Sequence, residues 1–437
     1  MSSDTEPTSG IFVNNQSTLN VKCNLSGTNT YLSTENSKVN VNKDLKLDGK
    51  TETIFGSFNG SDIKVDGNAS VSDLVRFTAD RDSSIEIGKD LNLNSTLSDA
   101  SNSLRESVGI YNNSHMTVGG DVNVLGDSLI KSDGDASIEI GGDLNVKVDS
   151  HRNEIVGIYN NGSIKVNGNL TADRDNEYVE TSDINLGTNA KLDVTGNAEF
   201  KGNTHLAIWD NSELNVGKNA TFNEGEFYVA ENSNAKIDGD LTLNHVADTN
   251  IWNQASEGSS ITVGGDLTLS GLYKEGTGDY SSSASADEYH RNRFFATGEG
   301  SSINVKGNTT VSNNAELFAE TYSNPIDSPD HEKYIDKTTF KDLGRATFEG
   351  DVNLSTNAKL GSYNAGEVTV DGNVNAQTGG NVQAWDSDST LTIKGDAKFT
   401  DSDSRIQAGR TASIAILGNT SLKDGSIELY DKGSLNI

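Results

Sequence analysis

The chain has 437 residues, a formal net charge of −30, a single cysteine and only 33% hydrophobic residues. The acidic balance argues against a nucleic-acid partner, which needs a basic footprint, and one cysteine excludes an internal disulfide framework or a CxxC metal site. No apolar run approaches the roughly 18 residues of a membrane helix, so no membrane insertion of this chain is expected.

The N-terminus, Met1-Ser2-Ser3-Asp4, lacks the charged and apolar parts of a secretory signal. Residues 1–10 read as a disordered leading segment, and residues 11–437 as a single repeat domain. The repeat unit is S-x-I-x-V-x-G-[ND]-L-x-L. Its Asn/Asp column holds sixteen copies: Asn24, Asp44, Asn68, Asp90, Asp121, Asp143, Asn169, Asn197, Asn219, Asp240, Asp266, Asn308, Asp351, Asn373, Asp396 and Asn419. The commonest spacing is 22 residues, with gaps of 31 before Asp121, 42 before Asn308 and 43 before Asp351. The final Ser434-Leu435-Asn436-Ile437 stops within a repeat, as expected of a fragment.

Within each unit, apolar residues alternate at the two-residue period of a half-buried strand, as in Ile85-x-Ile87 and Leu91-x-Leu93. A short turn separates these strands. The residue before the Asn/Asp is Gly in twelve copies, Lys in three and Cys in one, so a left-handed residue is expected near each turn. The Asn/Asp side chain is expected to accept a hydrogen bond from the backbone just ahead. A weaker third strand precedes each unit, for example Gly157-Ile158-Tyr159-Asn160-Asn161. Three short strands in about 22 residues describe one coil of a solenoid, which must stack on others to bury its apolar face. A propeller or a leucine-rich repeat would need a different period. The fold predicted is all-β: a right-handed parallel β-helix of about 16 coils, with an interior of Ile, Val and Leu and few places for large aromatics.

The stretches Val118-Gly-Gly-Asp121-Val-Asn-Val124 and Ile237-Asp-Gly-Asp240-Leu-Thr-Leu243 resemble the repeats of bacterial type V autotransporter passenger regions, of the adhesin and self-associating kind. The likeness runs from about residue 10 to the end. It implies export across the outer membrane, an extracellular or cell-surface location, a β-helical stalk, and adhesion or aggregation. The scarcity of cysteine is consistent with it. The signal peptide and C-terminal membrane barrel of that family are not in this sequence.

Some β-helices are polysaccharide lyases or hydrolases, so a carbohydrate-active enzyme is the alternative. Along the outward position of the central strand stand Asn20, Asn40, Lys64, Glu86, Thr117, Glu139, Lys165, Asp193 and Asn215, then Thr262, Asn304, Thr347, Thr369, Thr392 and Ala415, with no two carboxylates on consecutive coils. Acid–base work on sugars needs a carboxyl pair about 5 to 10 Å apart, so a non-enzymatic chain is expected, without cofactor or metal. The Asn/Asp column reads as turn chemistry, since the calcium nonapeptide is absent. Cys23, in the glycine column, is expected to face solvent.

Candidate partner-binding residues fall in two groups. Tyr111, Tyr159 and Trp209 each stand ten residues before their column residue, as do Phe58 and Tyr363. Tyr111, Tyr159 and Trp209 each follow an isoleucine that the strand period turns inward, so these aromatics should face out and could stack on sugars or anchor a protein. The second group lies in insertions at 94–107, 270–293 and 320–342, expected to emerge at one phase of the coil and therefore on one face. The latter two hold Tyr289, Arg291 and Arg293, then Tyr322 and Tyr334. The expected partner is a host surface protein or glycan, or a second copy of the chain.

Overall fold

The computed structural model describes residues 9–80, 82–95, 109–126, 128–148, 157–174, 184–202, 204–245, 251–271, 292–321, 343–386 and 388–437. These form a parallel β-helix of about 15 turns with three strands per coil and no helix. The coils group into two compact units, Met1–Ala207 with Ser212–Gly217, and Ile208–Asn211 with Lys218–Ile437, where the repeat pattern alone is continuous over 11–437. Ser9 and Gly10, assigned above to the leading segment, belong to the first strand, Ser9–Asn14.

In the first unit, the S-x-I-x-V segments stack as the first sheet, for example Ser84–Ile87 on His115–Val118 on Ser137–Ile140. The L-x-L segments form the second sheet, as in Leu91–Ser95, Val122–Gly126 and Leu144–Val148. The weaker strands Gly109–Asn112, Leu129–Ser132 and Gly157–Asn160 form the third. Strands Leu45–Phe58 and Ala69–Ala79 run unbroken from the second sheet into the third. The second unit repeats this arrangement, with Ser260–Val263, Leu267–Ser270 and Asn292–Thr297 as one coil. Alternation dictates the interior. Ile85, Ile87, Leu91 and Leu93 are all buried while Glu86 and Asn92 point out.

The corner between the first and second sheets carries the Asn/Asp column, but the device there differs from the one expected. No column glycine has a left-handed backbone; positive φ angles occur at other turns, such as Asn313 and Asn314, or Arg410 and Thr411. The Oδ1 atoms from Asn24 to Asn169, and again from Asn219 to Asp396, instead accept the backbone N–H of the column residue in the next coil. In the first unit the Asp121, Asp143 and Asn169 amides donate to the side chains of Asp90, Asp121 and Asp143 at 3.0, 2.8 and 2.7 Å. In the second unit the Asp266, Asn308 and Asp351 amides donate to Asp240, Asp266 and Asn308 at 2.8, 2.7 and 3.0 Å. Only a shared acceptor is needed, so Asn and Asp interchange.

Glycine is favoured because a Cβ at Gly120, Gly142, Gly168 or Gly265 would overlap the Oδ1 of the coil below. Where Lys43 and Lys89 supply a Cβ, the bonds stretch to 3.3 and 3.2 Å. Cys23 is exposed.

A second ladder lies at the corner leading into the first sheet. Ser37, Ser61 and Ser83 are buried, and the Ser17, Ser37 and Ser61 amides donate to the Oγ of the serine one coil later at 3.1, 3.2 and 3.3 Å. This ladder satisfies buried N–H groups that no strand partner reaches.

The expectation of few interior aromatics is corrected. Phe55, Phe77, Phe200, Phe222, Phe227, Phe294, Phe348 and Phe399 are fully buried. Small residues in register offset their volume, as Ala172 does for Phe200 and Ala376 for Phe399. Elsewhere the rings meet each other: Phe55 stacks on Phe77 at 4.7 Å, and Phe222 on Phe227 at 5.0 Å.

Candidate functional site

The outer face of the third sheet is where side chains depart from simple polar alternation. Its strands carry glycine two residues before an aromatic in Gly10-Ile11-Phe12, Gly56-Ser57-Phe58 and Gly361-Ser362-Tyr363. In all three the ring folds back over the glycine, in space a Cβ would occupy. The rings are therefore held against the sheet by contact with backbone. Phe12 is 67% exposed, and Phe58 and Tyr363 are half-exposed.

In the first unit, Thr78, Tyr111, Lys131, Tyr159 and Asn185 stand in register on this face. Tyr111 and Tyr159 are half-exposed while Ile110 and Ile158 are buried, which is the orientation expected. The two tyrosines alternate with cations. The Arg76 guanidinium lies 4.6 Å from the Tyr111 ring centroid and the Lys131 ammonium 6.0 Å from that of Tyr159. Contacts of this kind contribute about 0.5–1 kcal/mol at exposed sites, so they orient the rings more than they stabilise the coil.

In the second unit, Tyr228, Gln254, Phe295, Phe318, Gly361, Gln383 and Gln407 follow one another in register on the same face. Trp209 meets Tyr228 edge-on at 5.7 Å. Phe295 and Phe318 stack at 4.6 Å, and Tyr363 closes over Phe318 at 5.3 Å. Arg293 is committed to structure. Its Nε lies 3.1 Å from Glu316, which also holds Lys359 at 2.8 Å, and the Glu316 side chain is only 8% exposed. Tyr289, Arg291, Tyr322 and Tyr334 lie outside the described residues.

The insertions do not share one phase. Segments 94–107 and 270–293 connect a second-sheet strand to a third-sheet strand: Leu91–Ser95 to Gly109–Asn112, and Leu267–Ser270 to Asn292–Thr297. Segment 320–342 instead connects the third-sheet strand Glu316–Glu320 to the first-sheet strand Arg345–Phe348. It leaves from a different corner. The third strand of each coil carries the weakest sequence pattern, and this obscured the phase.

At that corner stands Glu320, which accepts hydrogen bonds from Thr297 Oγ1 at 3.1 Å and Asn364 Nδ2 at 3.4 Å. Burial pushes its carboxyl up to about 7, against the pull of those two bonds and of Arg293; Asp386 pushes it further up. An acid that folding holds neutral stabilises the fold most below its ordinary value of 4.5 and loses that contribution as pH rises through 7. The loss amounts to at most about 3 kcal/mol. Urea midpoints should therefore fall between pH 5 and pH 8, and Glu320→Gln should flatten that fall; an identical slope in the variant would sink this assignment.

On the first sheet, the outward column pairs opposite or neutral groups coil by coil. Lys64 meets Glu86 at 2.6 Å, Lys165 meets Glu139 at 3.2 Å, and Asn215 donates to Asp193 at 2.8 Å. These are exposed or partly exposed pairs that tune the surface and contribute little to stability.

Trp385 and Tyr430 were not singled out from the sequence. Trp385 stands eleven residues, not ten, before Asp396, because the corner after it is one residue longer. The signal available was glycine at the facing position, Gly409, across which the Trp385 ring lies. Among the described residues no cluster of His, Cys, Asp and Glu could hold a metal ion, and no helix is long and apolar enough to cross a membrane. Comparison of the chain with protein-family models, with curated proteins and with solved structures finds no match.

Proposed function

We propose that the chain is a non-catalytic binding solenoid, an adhesin or self-association module displayed outside the cell, of the kind its repeats resemble. The observation that carries this reading is the outer face of the third sheet, where aromatic rings are laid over glycines or flanked by cations. Such rings lose little rotational freedom on meeting a ligand, which lowers the cost of binding. Within each unit they are spread along successive coils rather than gathered into one cleft, which suits an extended glycan or protein surface. The net charge of −30 favours uncharged or basic surfaces over acidic ones.

The purified chain should adhere saturably to a cell surface or to itself, and the double substitution Tyr111→Ala, Tyr159→Ala should weaken that adherence at least tenfold with its melting unchanged. Release of reducing ends or unsaturated products from a polysaccharide panel would overturn the non-catalytic reading. The second reading would place its acid on Glu320, whose carboxyl burial pushes up to about 7, toward the protonated form that a general acid needs. Loss of such release in Glu320→Gln would establish it.

A further inference from the structure

Within the second unit, Trp385 and Tyr430 form a paired platform on the third sheet, 5.7 Å between ring centroids and 18° from parallel. The platform is fixed from several sides. Trp385 Nε1 donates to Gln383 Oε1 at 3.1 Å, and its ring rests across Gly409, where any Cβ would collide with it. The Tyr430 hydroxyl donates to Glu428 Oε2 at 2.8 Å, and Gln407 Nε2 donates to the same oxygen at 2.8 Å. Trp385 is half-exposed. Beside the rings, Arg410 Nη1 meets Asp386 Oδ1 at 2.9 Å, with the arginine side chain 67% exposed. Both residues occupy left-handed backbone, at φ 51 and 72, which fixes where their side chains leave the corner.

We infer that this platform binds a neutral hexopyranose unit of a glycan, its C–H face on the Trp385 and Tyr430 rings and its hydroxyls on the Asp386–Arg410 pair. The chemistry is complementary on each count. A pyranose has one apolar face that packs on an aromatic ring, and a rim of hydroxyls that both donate and accept. The carboxylate supplies acceptors, and the guanidinium supplies donors in a planar fork. Together they are neutral, so nothing in the pair selects a charged sugar. The surrounding chain, at −30, repels acidic ones. This inference names the ligand class for the binding reading above and rests on it.

The test uses the full chain carrying Trp209→Phe and Trp252→Phe, which leaves Trp385 as the only tryptophan among the three in the sequence. Neutral gluco-, manno- and galacto-oligosaccharides are titrated against its fluorescence, with polygalacturonate as the acidic control. A saturable shift with one of the neutral sugars, weakened at least tenfold by Tyr430→Ala and by Arg410→Ala with melting unchanged, is the expected result. Absence of any saturable response, a response to the acidic polymer alone, or one that both substitutions leave intact overturns the inference. Adherence to a cell surface is measured in parallel with Trp385→Ala. Adherence that persists without sugar binding overturns the glycan site and leaves the binding reading standing. Loss of both sugar binding and adherence in the unsubstituted chain overturns both.

Discussion

Replacing Gly142 with alanine should lower the stability of the first unit by about 2–4 kcal/mol, although the change is a single methyl group on a turn. The added Cβ would overlap Asp121 Oδ1 and press on the carbonyl carbon of Gly120. Relief of that clash must separate the two coils locally. Overpacking of this kind costs about 1–3 kcal/mol, and the hydrogen bond from the Asp143 amide to Asp121, now 2.8 Å, contributes about 1 kcal/mol more when lost. The converse change, Lys89→Gly, removes a Cβ at the equivalent position of another coil. Relief of the strained 3.2 Å contact between the Asp90 amide and Asn68 there offsets the entropy that glycine adds to the unfolded chain. Urea midpoints should separate the two variants clearly. Equal and small effects would mean that the column glycines serve turn flexibility after all.

Phe77→Ala should cost about 3–5 kcal/mol, the range for truncating a fully buried phenylalanine. Phe77 is wholly buried, stacks on Phe55, and lies in register between Phe55 and Ile110. No residue is placed to fill the gap from the solvent side, because the inward row is continuous through the coils on either side. Phe12→Ala provides the control. That ring is 67% exposed and rests on Gly10 and against Tyr31, so its loss should cost no more than about 1 kcal/mol. Hydrogen exchange would locate the effect, since opening of Leu45–Phe58, Ala69–Ala79 and Gly109–Asn112 should become easier while distant strands keep their protection. Protection lost evenly throughout the described coils would contradict the nearest-neighbour character of the stack.

The strands themselves were legible, and for a simple reason. In Ser84–Ile87 and Leu91–Ser95 the side-chain period of two is a local property, so inside and outside can be read directly from Ile85, Glu86 and Ile87. The turn was legible as a position but not as a mechanism. The bond that makes Asp121 necessary is to an amide 22 residues later, and the atom that makes Gly142 necessary belongs to a residue 21 earlier. Neither partner is visible until coils are stacked. The buried phenylalanines misled for a related reason, since the space for Phe200 is created by Ala172 in the coil below.

The candidate site was read in part. Tyr111 and Tyr159 face outward as the strand period required, but the cations against their rings, Arg76 and Lys131, come from neighbouring coils. Arg293 looked like a loop cation and instead lies in a strand, paired with Glu316 across the next coil. Trp385 escaped because a one-residue difference in corner length moved it out of the column used for alignment.

The glycine-and-carboxamide corner also bears on how such a chain can change in length. Donor and acceptor of each rung occupy the same position in successive coils, so one coil presents to its successor what its predecessor presented to it. Excision of residues 122–143 would carry the Asn169 amide, which now meets Asp143, onto Asp121 with the same chemistry. The serine corner tolerates a break in its own series wherever Ala136 or Gly162 interrupts it. Whole coils are thus interchangeable modules. As far as this corner is concerned their number is open to duplication or loss, except where interior packing is matched between neighbours, as Ala172 is to Phe200; loss of part of a coil would put every later side chain in the wrong column.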